Sequence, residues 1–183
     1  MARKVAVVTG SNKGIGYAIV RGLCKKFDGD VYLTARNGEL GQKAVADLKT
    51  ELGADKKAVE RLKFHQLDIN DGGSVKALKE TLMKTYGGLD VLVNNAGILM
   101  PVDSPDPMWK QAEATLGTNY FATQNVCRLL FPILKPILKV TVEEGAATPL
   151  MLCFKEYDKD DLFRFWYEGA PHDWDDTTFD FAH

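Results

Sequence analysis

The residues best suited to chemistry stand near the start of the chain. Thr9-Gly10-Ser11-Asn12-Lys13-Gly14-Ile15-Gly16 follows a short apolar run and precedes a stretch with helical spacing. Glycines at such a junction let the backbone turn sharply and approach an anion closely. The first turn of the helix that follows offers free N–H groups and a partial positive charge to that anion. The spacing is G-x-x-x-G-x-G, not the G-x-G-x-x-G of the usual dinucleotide fingerprint. A Gly-rich turn without a ligand is the plainer reading. Its place after a first strand, inside a βαβ unit, favours a nucleotide pyrophosphate instead.

The next residue of interest lies about 20 positions past the glycines. An NAD site wants a carboxylate there, to bond the ribose 2′-OH. Thr34-Ala35-Arg36-Asn37 offers Arg36. A guanidinium matches the 2′-phosphate of NADPH in charge and in fork geometry. Lys13, inside the loop, can add a second positive charge. The competing reading makes both cations ordinary solvated surface residues.

These residues need a frame that holds them at the ends of strands. Val5-Ala6-Val7-Val8 is apolar throughout, as suits a parallel strand buried on both faces. Ile15, Ile19, Leu23 and Phe27 then recur at helical spacing from Gly14 to Phe27. Further strands are expected at Val31–Thr34, Leu62–Leu67 and Leu89–Val93, with helices at Gly38–Leu52 and Ser74–Tyr86. Val75, Leu78 and Leu82 mark one face of the latter. Asp103 to Pro107 reads as a loop, and Trp109 to Leu134 as one or two helices ended by Pro132 and Pro136. Ile137 to Val142 is a candidate fifth strand. This alternation predicts an α/β fold, a doubly wound parallel sheet of Rossmann type, truncated after about strand five.

The expected division is a dinucleotide-binding domain over 1–142 and an acidic, aromatic tail over 143–183, irregular or docked. Residues 154–183 hold nine acidic residues, three basic ones and nine aromatics, with no clean period of 2 or 3.6. His172 and His183 lie near Asp173, Asp175 and Asp176 without any recognised ligand spacing, so no metal site is expected. The net charge of −2 suggests neither a nucleic-acid nor a membrane partner. Apolar stretches fall short of the about 18 residues a membrane span needs, and no signal peptide is read at Met1-Ala2-Arg3-Lys4. Cys24, Cys127 and Cys153 are widely spaced, as expected of reduced thiols in a cytoplasmic protein.

Thr9-Gly-x-x-x-Gly-Ile-Gly16, taken with Asn94-Asn95-Ala96-Gly97 after strand four, resembles the short-chain dehydrogenase/reductase family. Val7 to Gly16, Leu67-Asp68-Ile69 and Thr118-Asn119-Tyr120-Phe121 look like its monomeric NADPH-dependent carbonyl reductases. The likeness covers residues 3 to about 136. It implies that Gly10, Ser11, Asn12, Lys13, Gly14, Ile15 and Gly16 cradle the cofactor phosphates, with Arg36 on the adenosine 2′-phosphate. It also implies that Asp68 bonds the adenine amino group, that Ile69 packs on that ring, and that Asn95 braces the central strands. Ala96 and Gly97 would line the ribose and nicotinamide. Asn119 matches the helix residue that holds a water in the family's proton relay.

The same resemblance demands a Tyr with a Lys four residues later on one helix face, and a Ser after strand five. Hydride leaves the nicotinamide for a carbonyl carbon while the Tyr hydroxyl protonates the developing alkoxide. No Tyr-x-x-x-Lys occurs in these 183 residues, and the only serines are Ser11, Ser74 and Ser104. Glu144-Gly145-Ala146-Ala147-Thr148-Pro149 looks like a segment near the carboxyl end of carbonyl reductases. An internal deletion, by splicing or a gene-model error, is the simplest account. The sequence therefore reads as an NADPH-dependent carbonyl reductase, acting on a small ketone or aldehyde, with its activity impaired. Its rivals are a non-catalytic NADPH-binding protein and an unstable splice fragment. The family implies a monomer, with association through exposed core as the alternative.

Overall fold

The computed structural model describes residues 3–101 and 103–135, together with the backbone of 164–167 and 170–173. The chain divides into two compact units, Met1–Pro136 and Ile137–His183.

The first unit is a parallel sheet with helices on both faces. Strand β1 (Lys4–Val8) leads into helix α1 (Gly14–Lys26), then β2 (Gly29–Ala35), α2 (Gly38–Leu52) and a short α3 (Lys56–Arg61). β3 (Leu62–Gln66), α4 (Gly72–Tyr86) and β4 (Val91–Val93) follow. The sheet order is β3-β2-β1-β4, every neighbour parallel. The chain builds outward from β1 to β3, then crosses back to place β4 on the other side of β1. The crevice at the carboxyl ends of β1 and β4, where the order reverses, is where such sheets bind ligands. Val5, Ala6, Val7 and Val8 are fully buried, which explains why β1 is apolar at every position.

Beyond β4 the chain runs as one irregular helical segment. It comprises α5 (Met108–Leu116), a π-helical turn (Gly117–Ala122), α6 (Thr123–Leu130) and a 3-10 turn (Phe131–Ile133). Pro132 falls inside the 3-10 turn and ends the α-helical hydrogen bonding, as expected of a residue without an N–H. Val126 and Leu130 of α6 pack with Val75, Leu78 and Leu82 of α4 over Leu67, Ile69, Leu89 and Leu92. Met108, Trp109, Leu116, Tyr120, Phe121 and Phe131 are exposed on the same helical segment.

The expected start of β4 moves. The strand expected to start at Leu89 pairs with β1 only over Val91–Val93. Asp90 still reaches β1, donating its N–H to Val5 O (3.0 Å) while its carboxylate accepts from the Val5 N–H (2.8 Å). Leu89 turns the other way and forms a parallel bridge with Leu134. Its N–H donates to Ile133 O and its carbonyl accepts from Lys135 N–H, both at 2.8 Å. The chain thus returns beside β4 on the side away from β1. The fifth strand expected at Ile137–Val142 lies outside the described residues. Helix α3 is an addition to the expected elements; it is six residues long, polar, and capped by the Asp55 carboxylate on Ala58 N–H (3.0 Å).

In the second unit, β5 (Arg164–Tyr167) and β6 (Ala170–Asp173) form an antiparallel pair, with Arg164 opposite Asp173 and Tyr167 opposite Ala170. The sequence there shows no period that would announce a strand.

Candidate functional site

The site grows from the end of β1. Thr9 is buried, and its N–H donates to Val93 O (3.0 Å). The Thr9 hydroxyl oxygen accepts from the backbone N–H of Asn95 (3.0 Å) and of Ala96 (2.9 Å). In return the Asn95 amide donates to Thr9 O and Gly10 O, both at 2.9 Å. These five hydrogen bonds stitch the ends of the two central strands together.

This stitching leaves no room for side chains at two glycines. Gly10 has φ +59°, and a Cβ there would lie 2.8 Å from the Ala96 Cα. A Cβ on Gly16 would lie 2.8 Å from the Ser11 Cα and collide with the Asn95 amide. Ser11 is fully buried: its hydroxyl donates to Val8 O (2.8 Å) and accepts from Thr34 N–H (2.9 Å). That hydroxyl latches β1 to β2, and the Ser11 backbone N–H adds a second latch by donating to Thr34 O (2.8 Å), so Ser11 braces the loop from inside. Ile15 is exposed, although its spacing places it on the buried face of α1. The buried residues are instead Gly16, Val20, Leu23 and Cys24, because Gly16 must lie against Ser11 and Asn95.

Helix α1 begins without a side-chain cap and without an acidic residue in its first turn. Helices α2 and α4 are capped, by Asn37 on Leu40 N–H (2.9 Å) and by Asp71 on Gly73 N–H (2.8 Å). The uncapped N–H groups of α1, behind the glycine loop, suit an incoming anion.

Arg36 stands just past β2 and is exposed. Among the described residues its guanidinium has no hydrogen-bond or ion-pair partner, and the same holds for the Lys13 ammonium. The Arg36 backbone, by contrast, is held: the Gln66 side-chain amide donates to Arg36 O at 2.9 Å. Asp68 follows β3, its N–H donating to the Ser74 hydroxyl (3.0 Å) and its carboxylate accepting from Asn70 N–H (3.0 Å). Ile69 follows Asp68 directly and is largely buried in the core cluster.

Asn119 sits in the π-helical turn, a distortion common at functional sites. Its Nδ2 donates to Ile98 O and its Oδ1 accepts from Ile98 N–H, both at 2.8 Å. The whole side-chain amide is therefore engaged with the loop after β4. A Cβ on Gly97 would lie 3.1 Å from the Asn119 Oδ1, so the loop passes close to the helix there. Nearby, the Asn94 amide donates to the Cys127 sulfur at 3.3 Å, and burial pushes the Cys127 thiol pKa up.

The structure thus brings Gly10, Gly16, Asn95, Ala96, Gly97 and Asn119 together around the ends of β1 and β4. It sets Arg36 and Asp68 at the ends of β2 and β3. Thr9 and Gln66 are the residues that sequence reasoning passes over. Thr9 is visible within the loop motif, but its hydroxyl gains a role only from residues 86 and 87 positions away. Among the described residues, no group of three or more His, Cys, Asp or Glu is placed to hold a metal ion. None of the helices there is long and apolar enough to cross a membrane.

A family model for short chain dehydrogenases matches residues 4–146, and the chain belongs to that family. It is 56% identical over 133 residues to carbonyl reductase (NADPH) 3 of Mus musculus, covering 73% of this chain and 46% of that protein. It is 55% identical over 134 residues to carbonyl reductase (NADPH) 1 of Rattus norvegicus, again 73% of this chain and 46% of that protein. The chain spans about half the length of the relatives it matches. Among solved structures, menthone neomenthol reductase from Mentha piperita superposes with a TM-score of 0.63 at 28% identity, over 73% of this chain and 57% of that one. A tyrosine-to-phenylalanine variant of ElxO with NADPH bound gives 0.59 at 28% identity, over 71% and 50%.

Proposed function

We propose that this chain carries the NADPH-binding half of a carbonyl reductase and reduces carbonyl compounds weakly or not at all. The observation that carries the cofactor choice is the exposed Arg36 guanidinium just past β2, unpaired among the described residues, where an NAD site needs a carboxylate. The chain's own residues fit the group. The Gly10–Gly16 loop and the uncapped start of α1 would take the pyrophosphate, Arg36 and Lys13 the 2′-phosphate, and Asp68 the adenine edge. Ala96 and Gly97 would line the ribose, on a loop that Asn119 holds in place. When bound, NADPH supplies hydride to a carbonyl carbon. The names of the relatives support the same assignment.

The proton is the missing half of the reaction. Tyr17, Tyr32, Tyr86, Tyr120, Tyr157 and Tyr167 are followed four residues later by Arg21, Arg36, Asp90, Gln124, Asp161 and Pro171, never by Lys. Loss of a general acid alone typically costs about 10²–10⁴-fold in rate. This favours a second reading, a non-catalytic NADPH-binding protein. We place it in the cytoplasm, in keeping with the free thiols of Cys24 and Cys127. The test follows NADPH absorbance with a reactive ketone or aldehyde and the purified full chain. Turnover near background is expected; robust turnover, surviving removal of contaminating reductases, would point to an acid this reading does not identify.

A further inference from the structure

We infer that Gln66 is a positioning residue for cofactor selectivity, acting through the backbone of Arg36. The inference rests on the assignment of Arg36 to the 2′-phosphate.

Arg36 belongs to no strand or helix; it bridges β2, ending at Ala35, and α2, starting at Gly38. A residue in such a link has a free side chain and, by default, a free peptide. Here the peptide is fixed on three sides. Before it, the Ala35 carbonyl accepts from Leu67 N–H (2.9 Å). After it, Asn37 caps α2 with its side chain and accepts from Gly41 N–H (3.0 Å) with its carbonyl. At Arg36 itself, the bond from Gln66 Nε2 (2.9 Å) comes from the end of β3, thirty residues away. The Gln66 side chain lies across Gly38, where a Cβ would sit 3.7 Å from its Oε1. Gln66 pairs with Ala35 in the strand register, so its backbone is set by the sheet beside the Arg36 carbonyl that its amide reaches.

The consequence separates selectivity from stability. Both Gln66 and Arg36 are exposed, so water can satisfy the Arg36 carbonyl once Gln66 is gone, and the fold loses little. What is lost is the fixed point from which the guanidinium reaches a phosphate. Bidentate recognition depends on fixed geometry more than a point charge does. The nicotinamide, pyrophosphate and adenine contacts do not run through Arg36, so NADH binding stays as it was.

The experiment measures NADPH and NADH affinity by fluorescence titration of the full chain and of four variants. Three are Gln66→Met, which keeps the length and removes the donor, Arg36→Ala, and the two combined. Gln66→Asn, too short to reach, repeats the first in case methionine disturbs the fold. We expect Gln66→Met and Gln66→Asn to weaken NADPH about three- to tenfold, the worth of one hydrogen bond, with NADH unchanged. In the Arg36→Ala background Gln66→Met should then have no further effect, because its effect runs through Arg36. If Arg36→Ala removes the preference while the Gln66 variants keep it, the inference is wrong and the cofactor assignment stands. Equal weakening of both nucleotides by Gln66→Met would also overturn it, assigning Gln66 a general structural part. If Arg36→Ala leaves the preference intact, the assignment itself fails, and the inference with it.

Discussion

The Asn119 side chain closes a ring with the peptide groups of Ile98, giving one hydrogen bond and taking one, each 2.8 Å long. No other side chain makes a hydrogen bond to this loop backbone among the described residues from Ala96 to Met100, apart from Thr9 at its root. Helix and loop are therefore joined by an amide whose two ends are both used.

Asn119→Leu should release the loop after β4. Two exposed hydrogen bonds are worth about 1–3 kcal/mol together. We expect a fall in melting temperature of a few degrees, and weaker NADPH binding because Ala96 and Gly97 lose their fixed path. Asn119→Asp keeps the acceptor for Ile98 N–H but sets a carboxylate oxygen against Ile98 O, and should be no milder. Thermal melts with and without NADPH report both effects. An Asn119→Leu chain that melts and binds like the parent would remove the clamp from the account.

Gly10 and Gly14 allow a cleaner contrast. Both have positive φ, +59° and +61°, but a Cβ on Gly10 would strike Ala96 while one on Gly14 meets nothing within 4 Å. Alanine at Gly14 should cost about 1 kcal/mol of backbone strain. Alanine at Gly10 adds a steric clash between the central strands, and we expect several times that loss together with loss of NADPH binding. Denaturant unfolding of the two variants decides it; equal losses would mean that the close approach of Gly10 to Ala96 has no energetic weight.

The buried Asp30 gives a prediction about pH. Its carboxylate accepts from the Tyr86 hydroxyl (2.8 Å) and pairs with Arg3 (2.7 Å). Burial, with the hydrogen bonds to Tyr32 and Asp30, raises the Tyr86 pKa well above the ordinary phenol range. Folding therefore favours the protonated phenol. The stabilisation is complete below the unfolded tyrosine pKa of about 10 and is lost as pH rises from there through the folded-state value. The melting temperature should drop above about pH 10. Tyr86→Phe should be less stable at neutral pH by about 1–3 kcal/mol, having left a buried carboxylate short of a donor, but should show a shallower alkaline fall. An identical alkaline slope in both chains would remove Tyr86 as its cause.

Much of this frame is legible in the amino-acid sequence, and the physical reasons for that also mark where legibility ends. The run Val5–Val8 and the spacing of Val75, Leu78 and Leu82 are direct imprints of burial, and all seven residues are fully buried. The glycine loop after β1 is legible because glycine is the residue that tolerates what Gly10 and Gly14 do. Ile15 misleads because its spacing fits a buried stripe, whereas the close packing at Gly16 rotates the helix and turns Ile15 outward. Helix α3 is too short to show a period, and the π-helical turn around Asn119 leaves no compositional mark. The bonds from Asn95 to Thr9 and from Gln66 to Arg36 join residues 86 and 30 positions apart, and nothing local announces them.

Cofactor preference is the most direct test of the account. The full-length chain, titrated with NADPH and with NADH under identical salt, should bind NADPH about ten- to a hundredfold more tightly, the scale of charge-assisted hydrogen bonds from Arg36 and Lys13. Arg36→Asp should abolish or invert that preference. Equal affinity for the two nucleotides in the parent chain, or a preference that survives Arg36→Asp, would contradict it.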